Sequence, residues 1–316
     1  MRHNILATAI ASVALAASGV APALADGNSH GHGAHGSHGS VSASTVSGPS
    51  KGRAYSFTAT LSGAEEVPVP GGPAVSDPDG EGRALIKVKG DRVTFALQWR
   101  GLTPTLGHIH RGSKGTNGGV KVPLFGSAMP SSMHSAAGQV SLTDPALAEQ
   151  IRTNPEDFYV NLHSAEFPGG AVRGQLKAVN RNLNPLNIIK GGKLRALSNG
   201  EQEVPKNADS KVGDPDGHAV TFLRLDDTDV DYAFAWINIQ SPSLGHLHQG
   251  AFGVNGPVVL NFFDKPVPNG IFAVAGRLTG QDPAVVDRIK KNPRNYYSNI
   301  HTPEFPDGAV RGQLFR

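Results

Sequence analysis

Large apolar residues fall on alternate positions in Val93-Thr-Phe95-Ala-Leu97-Gln-Trp99, and again in Val230-Asp-Tyr232-Ala-Phe234-Ala-Trp236. A period of two with the aromatics on one face predicts a strand half-buried against a second layer. Ala84 to Val88 and Ala219 to Leu225 predict a preceding strand in each place, entered through Asp-Pro-Asp-Gly at 77–80 and 214–217. That tetrapeptide could ligate calcium, but its residue chemistry is that of a plain turn. The helical signal is Asp144-Pro145 leading into Ala-Leu-Ala-Glu-Gln-Ile151, matched by Asp282-Pro283 leading into Ile289. Asp as N-cap with Pro at the first helical position starts a helix well. With 39 Gly and 23 Pro to make tight turns between short strands, the pattern predicts an all-β chain. The expected architecture is two tandem Greek-key-like β-sandwich domains, each with one short helix in a crossover.

The doubling is written throughout. Gly107-His108-Ile109-His110 recurs as Gly245-His246-Leu247-His248, and Gly170-Ala-Val-Arg173-Gly-Gln-Leu176 recurs as Gly308-Ala-Val-Arg311-Gly-Gln-Leu314, both at an offset of 138 residues. His163 and His301 keep the same offset. So long a period indicates two domains, not a solenoid of short repeats. The first is expected at 53–178 and the second at 190–316, with 179–189 as linker.

Ahead of them, a basic start, an apolar run from Ile5 to Gly19 and a small-x-small Ala23-Leu24-Ala25 predict a signal peptide over 1–25. Residues 26–52, rich in Gly, Ser and His, cannot bury enough surface to fold, and disorder is expected there. No later segment is long or apolar enough to span a bilayer, so an exported protein is expected, whether periplasmic, cell-surface or secreted. Net charge is only +3 with no basic run, which argues against a nucleic-acid partner. With no cysteine in the chain, any metal must be held by imidazole or carboxylate.

The repeat also sorts the histidines. Residues i and i+2 of a strand share a face, so His108 and His110 can converge on one point, as can His246 and His248. His163 and His301 each follow a strand-like segment that can bring in a third imidazole. Three nitrogens with an open position suit copper first, by the affinity order, and zinc second. The bland alternative is that these side chains shape turns. Their joint recurrence in otherwise drifted copies favours metal, because His134 and His218 align with Phe272 and Glu81. His30, His32, His35 and His38 form an auxiliary chelating tail or a solvated spacer. Arg173 and Arg311 could steer an anion to the site or pair with Glu166 and Glu304; an ordinary surface ion pair is as good a reading. Glu66-Val-Pro and Glu203-Val-Pro suit an edge strand, with a supporting contact to a histidine as the other option.

Taken in order, Leu61-Ser-Gly-Ala-Glu-Glu66-Val-Pro, Gly-His-Ile-His110, Asn117-Gly-Gly, Asn161-Leu-His163 and Gly-Ala-Val-Arg173-Gly-Gln-Leu resemble the CHRD domain of chordin and of exported microbial proteins. The second copy matches through Glu203-Val-Pro, His246-Leu-His248, Asn255-Gly, Asn299-Ile-His301 and Arg311-Gly-Gln-Leu. The resemblance implies an extracellular setting and no defined reaction. A weaker resemblance is to copper/zinc superoxide dismutase, which would place His108, His110 and His163 on copper with Arg173 nearby. The bridging histidine, zinc loop and disulfide of that family have no counterpart here, and fold likeness does not confer activity. Three functions stay open: a metal-storage, delivery or sequestration protein, a dismutase-like redox enzyme, and a metal-free adhesion or matrix module. A binding protein is favoured over an enzyme. The sequence names no protein partner.

Overall fold

The computed structural model describes residues 52–188 and 191–316. The expected signal peptide, most of the expected disordered segment and the histidines of the tail lie outside them. The first copy contains β1 (Ala54–Ser62), β2 (Glu81–Lys89), β3 (Arg92–Arg100), β4 (Pro104–Arg111), β5 (Val120–Phe125), β6 (Met133–Ser141), α1 (Pro145–Thr153), β7 (Phe158–Ser164), β8 (Val172–Gln175) and β9 (Lys177–Val179). The second contains β10 (Leu194–Asn199), β11 (His218–Asp226), β12 (Asp229–Ile237), β13 (Leu244–Gln249), β14 (Val258–Phe263), β15 (Ile271–Leu278), α2 (Pro283–Lys291), β16 (Tyr296–His301) and β17 (Val310–Gln313).

In the first copy β1, β2, β3 and β6 pair in that order, and β5, β4, β7 and β8 form the facing half; β1 meets β8 at Ser62 and Arg173. The pairings β3–β6 and β4–β7 are the crossed connections of a Greek key. Alternation sets the layers: Val93, Phe95, Leu97 and Trp99 of β3 turn inward and meet Ile109, Val160 and Leu162 of the other half in one buried cluster. Both helices start as their sequence dictates, the Asp144 carboxylate accepting from Ala146 N–H and Asp282 from Ala284 N–H, each at 2.8 Å. Leu147 and Ile151 of α1 are buried, as are Val286 and Ile289 of α2. The Asp77 turn is a plain one, its carboxylate accepting from Asp79 and Gly80 N–H.

The two copies are not strung apart. β6 pairs with β15 antiparallel, so one sheet runs through both. The pairing is symmetric about a point beside Ala136 and Val274: Met133 lies opposite Gly276 as Ile271 lies opposite Gly138. Gln139 N–H donates to Gly270 O and Arg277 N–H to Ser132 O, the same bond seen from each side. The inner faces form one continuous core across the junction. On the other face Ala96, Ala137, Val220, Ala235 and Ala273 form a second, small-residue patch, against which Leu186 packs. Residues 179–188 thus lie along the sheet, with Leu183 and Pro185 buried.

Placing a charge at the dyad should uncouple the copies. Ala136→Asp buries a carboxylate with no partner, at a cost of several kcal/mol. Urea unfolding followed by tryptophan fluorescence should change from one transition to two; Trp99 and Trp236 report one copy each.

Candidate metal centre

The site forms on the outer face of the β5-β4-β7-β8 half. Gly107 and Ile109 point to the core, so His108 and His110 point away from it. Tyr159, Asn161 and His163 leave β7 on that same face, His110 opposite Tyr159 and His108 opposite Asn161. Arg173 of β8 lies opposite Asn161 in turn. Gly107 is required because the Phe125 ring occupies the place of a Cβ, which would come within 2.2 Å of it; Gly245 and Phe263 repeat this at 2.4 Å.

The three imidazoles converge in each copy. The candidate ligand nitrogens of His108, His110 and His163 all lie within 4.8 Å of one another, as do those of His246, His248 and His301. His110 Nδ1 is 2.9 Å from Gly118 O and His163 Nδ1 is 2.9 Å from Pro168 O. A carbonyl only accepts, so both Nδ1 atoms carry the proton and both Nε2 atoms present lone pairs. His108 Nδ1 then donates to His163 Nε2 at 3.3 Å. His110 Nε2 is buried with no hydrogen-bond partner. The second copy repeats every bond: His248 to Gly256 O at 2.9 Å, His301 to Pro306 O at 2.9 Å, His246 to His301 at 3.2 Å, and His248 Nε2 unpartnered. Burial holds His110, His248 and His301 below the ordinary imidazole range and His246 down to about 4, favouring the neutral rings.

The arginines are not at the mouth of the site. Arg173 is 2 % exposed; it donates to Asn117 Oδ1 at 3.1 Å, Ser113 O at 3.1 Å and Thr116 O at 2.9 Å. Arg311 holds Asn255, Ala251 and Val254 in the same way. Their donors are spent on the loop between β4 and β5, or β13 and β14, so neither is placed to steer an anion. The expected pairings with Glu166 and Glu304 do not form among the described residues. Glu166 is exposed, and Glu304, also exposed, accepts from Gln240. The arginines support the imidazoles from beneath. Arg173 lies 3.4 Å from the centre of the Tyr159 ring, whose other face stacks on His110 at 4.9 Å and 9°. Arg311, Tyr297 and His248 form the same stack at 3.5 and 4.9 Å.

Tyr159, Asn117 and their counterparts Tyr297 and Asn255 are the functional residues that pattern reasoning passed over. The signal was present: Tyr159, Asn161 and His163 sit at i, i+2 and i+4, and Asn-Gly recurs after each His-x-His. Asn117 also donates to Val67 O at 2.7 Å, tying this loop to the segment after β1.

Glu66 is not on an edge strand. It is buried beside Asn161, whose Nδ2 donates to Glu66 Oε2 at 3.1 Å, and against Gly170, where a Cβ would fall 2.7 Å from the carboxylate. Gly170 has φ +143° and Gly308, against Glu203, has φ +140°. Burial pushes both carboxyls up to about 7. Glu66 Oε1 and Asn161 Oδ1 have no other partner, nor do Glu203 Oε1 and Asn299 Oδ1. A protonated carboxyl donating to the amide oxygen accounts for both orphans in each copy.

Both copies are thus the same all-β module with an imidazole cluster on its outer face. The CHRD domain model matches residues 57–176 and 194–314, and the chain belongs to that family, twice in tandem. No curated protein matches the chain.

A raised folded pKa means that stability is fully present below pH 4.5 and falls as pH rises through about 7. Glu66→Gln/Glu203→Gln should remove that fall and leave the fold intact. Thermal melts from pH 4.5 to 8 should show wild type losing stability relative to the variant, on the order of 2–3 kcal/mol per site; parallel profiles would refute the protonated pair.

Proposed function

We propose that each module holds one metal ion on three imidazoles, His108, His110 and His163 in the first and His246, His248 and His301 in the second. The observation that carries this reading is the buried, unpartnered Nε2 of His110 and of His248, each aimed by a carbonyl on the opposite nitrogen of its ring. A buried nitrogen without a partner is costly unless something binds it. The donor set fits. His108 Nδ1 and His163 Nε2, 3.3 Å apart, match the edge of a tetrahedron with metal–nitrogen bonds of about 2.0 Å once the His108 proton shifts to its Nε2 and the metal takes the place of the hydrogen bond. Neutral imidazoles without thiolate or carboxylate favour copper, with zinc next. Bound copper would supply a centre able to change oxidation state and to take a fourth ligand.

The reading continues to a role outside the cytoplasm in metal storage, delivery or sequestration. It is supported by the leader-like pattern of 1–25 and by the usual extracellular setting of CHRD domains. Among the described residues no helix is long and apolar enough to cross a membrane. The dismutase-like alternative gains nothing from Arg173 and Arg311, whose donors are engaged beneath the site.

Elemental analysis of a chain starting at Lys51, which lacks the histidine tail, should find two copper ions per protein. His108→Ala/His110→Ala should reduce that to one. A metal-free protein after equilibration with copper or zinc would overturn the reading.

A further inference from the structure

The two modules part company at the loop that follows each His-x-His strand. In the first, the loop between β4 and β5 carries Ser113, Lys114, Thr116 and Gly119, and Lys114 pairs with Glu65 at 2.9 Å. In the second, the same positions hold Ala251, Phe252, Val254 and Pro257. Phe252 is 71 % exposed and Val254 55 %, with Val258 exposed beside them. The tip is tied in place. Val254 N–H donates to Ala251 O at 3.0 Å, closing a turn with Phe252 and Gly253 at its corners, and Gly253 has φ +75°. The buried Arg311 donates to both Ala251 O and Val254 O, so the same turn is held from beneath. Phe252 cannot fold back into the core without breaking these bonds, and a contiguous apolar tip left outside marks a binding surface.

The loop springs from the end of α2. Gly250 N–H donates to Asn295 O at 2.8 Å, and Gln313 Nε2 donates to Gly250 O at 2.7 Å and to Arg294 O at 2.6 Å. One side chain thus joins the base of the loop to the Pro293–Asn295 turn that follows the helix. Charge has changed there in step with the loop. Over 287–295 the second module sets Arg288, Lys290, Lys291 and Arg294 against Asp287 alone. Over 149–157 the first module has one base, Arg152, which pairs with Glu149, and two further acids, Glu156 and Asp157. An apolar tip with bases at its root suits an anionic lipid surface, where the tip enters the headgroup layer and the bases meet phosphate. A second copy of this face would instead bring like charges together.

We propose that the second module docks on an anionic lipid surface through Phe252 and Val254, with the bases at the end of α2 on the lipid phosphates, and that the first module does not. The proposal is independent of any metal. The test uses a chain starting at Lys51, which keeps every described strand and helix of both modules and lacks the apolar run from Ile5 to Gly19, which would bind lipid by itself. Vesicles of equal parts phosphatidylglycerol and phosphatidylcholine should carry the protein upward in a flotation gradient. Vesicles of phosphatidylcholine alone should bind it about ten-fold more weakly. Phe252→Ser/Val254→Thr should weaken binding to the anionic vesicles by on the order of ten-fold. Lys291→Thr/Arg294→Glu, which installs the first module's residues, should weaken it by about as much, as should added salt. All four positions are exposed, so the thermal midpoint should stay where it is in both variants. Absence of flotation with the anionic vesicles, or flotation that survives either pair of substitutions, overturns the proposal. A lipid-indifferent dimer that Phe252→Ser/Val254→Thr dissolves overturns it in favour of a second copy of the chain.

Discussion

Arg173 and Arg311 bury a positive charge in each module, and the way that charge is satisfied organises what surrounds it. Neither has an ion-pair partner among the described residues. Carbonyls of the loop after His-x-His, an asparagine amide and a tyrosine face take that place. Desolvating a guanidinium is expensive, so the loop has little freedom to leave it. The same loop carries the Gly118 carbonyl that fixes the tautomer of His110. The Tyr159 ring between guanidinium and imidazole fixes the ring plane. The geometry of the imidazole cluster is therefore set by a cation that lies beneath it.

The site occupies the outer face of a half-sheet whose inner face is the core. Period-two alternation separates the two faces: Ile109, Val160 and Leu162 stabilise the sandwich, while His108, His110 and His163 face outward and gather on its other side. Because the core and the imidazole cluster fall on opposite faces, residues around the cluster can differ between copies without a cost to either core.

Alternation and repetition made much of this visible in advance. The strands around Phe95 and Phe234, the two capped helices and the convergence of three imidazoles per copy all follow from spacing. The arginine role did not, because a sequence shows that Arg173 recurs but not which way it faces. Glu66-Val-Pro read as an edge for the same reason, since only the folded chain brings Asn161 and Gly170 against that carboxylate. The β6–β15 pairing was also hidden. Ser135-Ala-Ala137 and Ala273-Val-Ala275 look like ordinary strands, and nothing local says that each pairs with the other.

That pairing has a consequence for how the duplication persists. The two strands form an isologous contact, the kind by which identical subunits make a two-fold dimer. Here both halves are on one chain, so the partner is always present at a high effective concentration and the contact does not dissolve on dilution. Two edges that would otherwise invite strand addition from other molecules are permanently closed. The chain is a dimer that cannot dissociate, and its halves, freed from being identical, can specialise.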